Sequence, residues 1–136
     1  MTPFFVHGIP RPEGSTRAWV RGGKAIITHA NKNLLPWRQE VAACAVAAHV
    51  ELSAKHIPVE ISAAFVFPRP SGVSEKKRPL PSTRPDIDKL LRGILDALAG
   101  IAYVDDGQVC SVSATKTYAR DGERIGAHIR VAELTK

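Results

Sequence analysis

From Val59 to Phe67 an apolar side chain returns at every second position: Val59, Ile61, Ala63, Phe65 and Phe67. A period of two assigns residues 57–67 to a long strand with one face covered and one face open. A covered face needs a second layer, and the flanking segments have the period to supply it. Trp37, Val41, Cys44, Ala48 and Leu52 form one apolar stripe at helical spacing over 34–54, behind Asn33 as N-cap and with Pro36 in the first turn. Ile87, Leu90, Leu91, Ile94, Leu95 and Leu98 form a broader stripe over 87–98, which stops at Gly100, a residue suited to the left-handed cap.

The remaining segments read as strands. Residues 3–9 form a first strand ending at Pro10. Two short β-prone runs around Gly22-Gly23 form a hairpin with a primed turn. Residues 108–118 alternate Cys110, Val112 and Ala114 against polar partners, and residues 124–132 alternate Ile125, Ala127, Ile129 and Val131 against Arg124, His128 and Arg130. The order β, ββ, α, β, α, β, β predicts an α+β fold over 1–136 as a single domain: a mostly antiparallel sheet with two helices packed on one face.

Composition narrows the setting. No apolar run approaches the roughly 20 residues that span a bilayer, and the first residues carry no basic n-region, so a cytoplasmic protein with no membrane partner is expected. Cys44 and Cys110 sit among alanines and valines and read as small core residues of a reducing compartment. The five histidines lack zinc-ligand spacing. The formal net charge of +6 favours a polyanionic partner.

That charge is concentrated. Residues 68–84 hold four prolines together with Arg69, Lys76, Lys77, Arg78 and Arg84, opposed only by Glu75, and read as a flexible cationic loop. Arg11, Arg17, Arg21 and Lys24 form a second basic stretch. Directly after the loop comes an acidic series. Asp86 stands at the helix start, Asp88 in its first turn, and Asp88, Arg92 and Asp96 share one face; Asp105-Asp106-Gly107 then makes a turn. Carboxylates brought together repel, and a hard dication such as magnesium relieves the repulsion while taking phosphate oxygens as further ligands. Taken singly, each element has an ordinary explanation: a helix cap, surface ion pairs along the helix, a turn. Their order and spacing together point to metal-assisted phosphodiester chemistry.

The run Arg84-Pro85-Asp86-Ile87-Asp88-Lys89-Leu90-Leu91-Arg92, followed by Leu95-Asp96-Ala97-Leu98 and Asp105-Asp106-Gly107-Gln108-Val109, resembles the signature of the RusA family of Holliday junction resolvases. The resemblance implies a homodimeric, magnesium-dependent endonuclease, with manganese as a substitute, that nicks four-way junctions and related branched DNA symmetrically. It places the essential metal-binding carboxylates on Asp86, Asp88 and Asp106, with Asp105 and Asp96 in support. It expects the fold to bring Asp86, Asp88 and Asp106 into one pocket. Two positions depart from the family pattern: Lys89 replaces an asparagine, and Arg92 replaces a lysine important for activity. Arg92 retains the charge to stabilise a phosphoryl group but does not readily lose a proton. Arg69, Lys76, Lys77, Arg78, Arg84 and Lys89 are the expected DNA contacts. The rival readings are a PD-(D/E)xK nuclease, a decayed, non-catalytic branched-DNA-binding module, and a protein whose bound ion serves stability alone.

Overall fold

The computed structural model describes residues 2–13, 16–21, 24–29 and 34–134; for 16–21, 24–29 and 34 the backbone alone is described. Strands β1 (Thr2–His7), β2 (Thr16–Arg21) and β3 (Lys24–His29) precede helix α1 (Leu34–Ala47). Strand β4 (Val59–Phe67), helix α2 (Ile87–Leu98), β5 (Val109–Tyr118) and β6 (Gly126–Glu133) follow. The main sheet has the order β1-β6-β4-β5, while β2 and β3 pair separately. β6 is antiparallel to both β1 and β4; β4 and β5 are parallel. The α+β architecture expected from the periodicities is therefore present, with one parallel pair created by the crossover through α2.

One apolar cluster joins the layers. Val59, Ile61 and Phe65 of β4, Leu90, Ile94 and Leu98 of α2, Val41 of α1 and Tyr103 are fully buried in it. Burying each of the larger side chains contributes about 1.5–3 kcal/mol. β1 and β6 approach so closely that a Cβ on Gly126 would lie 2.0 Å from the Val6 carbonyl oxygen, so only glycine fits there.

Three sequence expectations change. Helix α1 ends at Ala47, not near residue 54. His49, in the left-handed region at φ 59, donates from its N–H to the Val46 carbonyl, and Val50 donates to Ala45; this paired motif closes the helix. Leu52 consequently leaves the stripe and is exposed, while Ala45 enters the core. Cys110 is exposed and Cys44 only half-buried, because β5 is an edge strand and Val112 beside Cys110 is itself uncovered. Asn33 and the Gly22-Gly23 turn lie outside the described residues.

Residues 68–85 are cross-braced where a flexible loop was expected. The Arg69 guanidinium donates to the Arg78 carbonyl at 2.6 Å and stacks on the Tyr118 ring at 4.4 Å. Lys77 N–H bonds the Ser74 hydroxyl, and the Lys116 ammonium donates to the carbonyls of Thr83 and Pro85.

Candidate active site

Helix α2 begins where the braced loop ends. Its apolar face is buried through Leu90, Gly93, Ile94, Ala97 and Leu98, which turns Asp88, Arg92 and Asp96 outward along one polar face. Asp86 occupies the N-cap position with extended backbone, yet its side chain accepts no capping hydrogen bond. Its charged neighbour is Lys89, whose ammonium lies 3.9 Å away, with both side chains about half exposed. Among the described residues Asp88 accepts no hydrogen bond, and neither Asp88, Arg92 nor Asp96 forms an ion pair within 4.0 Å. The cap explanation of Asp86 and the ion-pair explanation of the Asp88, Arg92 and Asp96 series thus lack their interactions among the described residues, while Asp86 keeps an exposed pair with Lys89.

At the other end of α2, Gly100 at φ 85 turns the chain back. Tyr103 is buried there, and its hydroxyl donates to the Leu95 carbonyl, pinning the return segment against the last turns of the helix. Burial, followed by the negative charges of Asp106 and Asp96, drives the Tyr103 pKa well above the usual phenol value, so it stays a donor.

The following turn separates its two aspartates. Asp105 caps a short 3-10 helix, Asp106–Gln108, by accepting the Gly107 N–H at 3.0 Å, and Gln108 completes a reciprocal capping box. The Gln108 amide oxygen accepts from the N–H groups of Val104 and Asp105, while its nitrogen donates to the carbonyls of Ala54 and Ile57. The Gly107 N–H, then the adjacent Asp106 carboxyl, lowers the Asp105 pKa. The adjacent Asp105 carboxyl, then desolvation and the charges of Asp105 and Asp96, raises Asp106, with Arg92 acting in the opposite sense. Asp105 is therefore the structural member of the pair. Asp106 is held under negative pressure that a cation would relieve.

The structure brings Asp106 into the electrostatic company of Asp96, Arg92 and Asp105, and leaves Asp86 beside Lys89 at the helix head. From Asp88 to Arg92 is about 6 Å along the helix axis, and from Arg92 to Asp96 about the same. Among the described residues no three His, Cys, Asp or Glu side chains form a group able to hold a metal ion, so the expected single pocket of Asp86, Asp88 and Asp106 is not formed as a closed ligand set. Instead, carboxylates are spread along the α2 polar face with Arg92 between them.

Among the expected DNA contacts, Lys76, Lys77 and Arg84 are exposed, whereas Arg69 and Arg78 are occupied in closing the loop: Arg78 reaches the Tyr118 hydroxyl at 3.5 Å. The side chains of Arg17, Arg21 and Lys24 lie outside the described residues. Lys116, Gln108 and Tyr103 were not singled out from the sequence. The first had a signal, since it falls in the alternation Val112, Ala114, Lys116, Tyr118, where a cation on the covered face is unusual. Gln108 also had one, as the last residue of an Asp-x-x-Gln capping pattern.

The chain is 28% identical over 127 residues to the uncharacterized protein YqaN of Bacillus subtilis (strain 168), covering 87% of this chain and 88% of the relative. The family described as Endodeoxyribonuclease RusA matches residues 9–131, from the end of β1 to within β6 and across every residue of the site. This chain is a member of the RusA endodeoxyribonuclease family.

Proposed function

We propose that the protein is a magnesium-dependent, structure-selective endonuclease that resolves four-way DNA junctions as a homodimer, by paired symmetric nicks. The observation that carries this reading is the state of Asp86 and Asp88. They stand at the head of a helix inside the family's signature, and neither carboxylate is used in capping that helix. Exposed carboxylates that do no capping, next to a cationic loop, leave oxygens available to a cation where a phosphate also approaches.

Nucleases of this family are generally dependent on a divalent metal. The donor chemistry suits one, although the groups are not gathered into a closed set: the oxygens of Asp86, Asp88 and Asp106, with Asp105 in support, are hard ligands. Magnesium takes only one or two protein carboxylates, completing its sphere with water and substrate phosphate. When bound, the ion supplies Lewis-acid polarisation and a water of lowered pKa. Arg92, placed along α2 between the head and tail carboxylates, stabilises charge on the phosphoryl group; its guanidinium acts as a clamp, not as a proton donor. Exposed Lys76, Lys77 and Arg84 hold the phosphates of the flanking arms, and Lys89 balances Asp86. The attacking water oxygen forms a bond to phosphorus, the bond to the 3′ oxygen breaks, and a 5′-phosphate and a 3′-hydroxyl result.

The test is a labelled four-way junction incubated with magnesium, manganese or EDTA. Wild-type protein nicks opposed strands in either metal and none in EDTA, while Asp88→Asn binds the junction and leaves it intact. Cleavage by Asp88→Asn at the wild-type rate refutes the assignment. Junction binding by the wild type without any nicking selects the non-catalytic module instead.

A further inference from the structure

Beside Asp86 lies an open groove of about 690 Å³ that the carboxylate chemistry leaves unused. One bank is the segment 9–13, tied to α2 where the Glu13 N–H donates to the Lys89 carbonyl at 2.9 Å. The opposite bank is the braced loop, held in place by Lys116 through the carbonyls of Thr83 and Pro85. Prolines line both banks (Pro10 and Pro12 on one, Pro68, Pro70, Pro81 and Pro85 on the other), and Phe67 and Tyr118 lie between them. Proline rings are rigid and their nitrogens carry no hydrogen, so the banks are stiff and preformed; Pro12, Pro68, Pro70 and Pro85 reach the surface, with Pro10 and Pro81 buried behind them. Four cations, Arg11, Arg84, Lys89 and Lys116, complete the lining, against the acids Glu13 and Asp86.

Stiff walls that are part apolar and part polar, beneath a cationic rim, match a nucleotide, whose base seeks a slot with polar edges and whose phosphates seek cations. The volume lies within the range of small-molecule sites. A base stacked within a duplex cannot enter; one released at a branch point can. We infer that the groove receives a single unpaired nucleotide from the branch point, with its base between the proline banks and its phosphates on Arg11 and Arg84. Its neighbouring phosphodiester is thereby delivered to Asp86. This rests on the endonuclease reading, and it makes selection of branched over linear DNA a consequence of which substrates can release a base.

The experiment places 2-aminopurine at each position flanking the branch of a four-way junction and follows its emission on adding protein in EDTA. Emission rises at one of these positions with the wild type. Ile9→Trp, which fills the groove from its exposed lip, removes that rise and slows nicking in magnesium by at least roughly tenfold, at unchanged junction affinity. Leu52→Trp, an equally exposed site elsewhere, does neither. Flat emission at every position, or normal nicking by Ile9→Trp, overturns the groove assignment, and wild-type nicking then leaves the endonuclease reading standing. An emission rise abolished by Ile9→Trp, in a protein that never nicks, keeps the groove and overturns the endonuclease reading.

Discussion

The Lys116 ammonium on β5 donates to the Pro85 carbonyl at 2.8 Å, one residue before Asp86. A second bond of 2.9 Å, to Thr83, makes this side chain the link between the sheet and the start of α2. Among the described residues no carboxylate pairs with it within 4.0 Å; its partners are backbone oxygens of the turn that aims Asp86. Lys116→Met keeps the apolar stem and deletes both bonds. The expected loss is about 1–2 kcal/mol in chemical denaturation, because the carbonyls regain water only in part. Junction cleavage should fall by more than stability explains, through kcat with little change in KM. A variant that cuts normally at full occupancy would show that the turn holds its shape without the lysine.

Gln108 does the corresponding work for the distal aspartates. It is 7% exposed and makes four hydrogen bonds, two to the backbone of the Asp105 turn and two to the segment 54–57. Gln108→Leu has nearly the same volume but leaves two N–H groups and two carbonyls without partners. Destabilisation of about 2–4 kcal/mol is expected. Gln108→Glu, which keeps the acceptor and loses the donors, should fall between wild type and leucine. Thermal or urea unfolding of the pair checks the order.

Much of this molecule was legible in its sequence because the signals were periodic. The period of two in β4 and the apolar stripe of α2 depend on each segment's own burial; β4 is buried as read, and of the α2 stripe Leu90, Ile94 and Leu98 are buried, Leu91 and Leu95 partly so, and Ile87 is exposed. The site residues were legible as spaced motifs. What was not legible depends on neighbours. Cys110 and Val112 carry the alternation of a covered strand, but β5 took the sheet edge, a choice made by the crossover and not by its own residues. The end of α1 hid in the same way: Ala48 and Leu52 continue the stripe, and nothing local announces that His49 will adopt a positive φ. Lys116 stands out as a cation within the alternation of β5, but the turn it holds is visible only in the fold.

His49 offers a direct measure of that hidden stop. A left-handed residue bearing a Cβ costs about 1–2 kcal/mol, and glycine removes the cost while adding roughly 0.5–1 kcal/mol of unfolded-state entropy. His49→Gly should therefore stabilise the protein slightly, by about 0.5–1 kcal/mol, with activity unchanged. His49→Val, β-branched and intolerant of this φ, should destabilise it. Equal stability of the two variants in urea would mean that the α1 terminus does not depend on the left-handed residue.

The two cysteines differ enough to be told apart by pH. Burial, reinforced by the charge of Glu40 and a 3.6 Å contact with its carboxylate, pushes the Cys44 pKa above the ordinary thiol value. Cys110 is exposed on the sheet edge. Alkylation requires the thiolate, so at mildly alkaline pH Cys110 should react first and Cys44 slowly. A raised thiol pKa favours the protonated native form below the unfolded value, and that stabilisation is lost as pH rises through the folded value. Glu40→Gln removes the repelling charge, lowers the Cys44 pKa and should bring its alkylation rate closer to that of Cys110, as read by mass spectrometry of each peptide over a pH series. If the Cys44 rate is the same in Glu40→Gln and wild type across that series, the carboxylate is not what holds the thiol protonated.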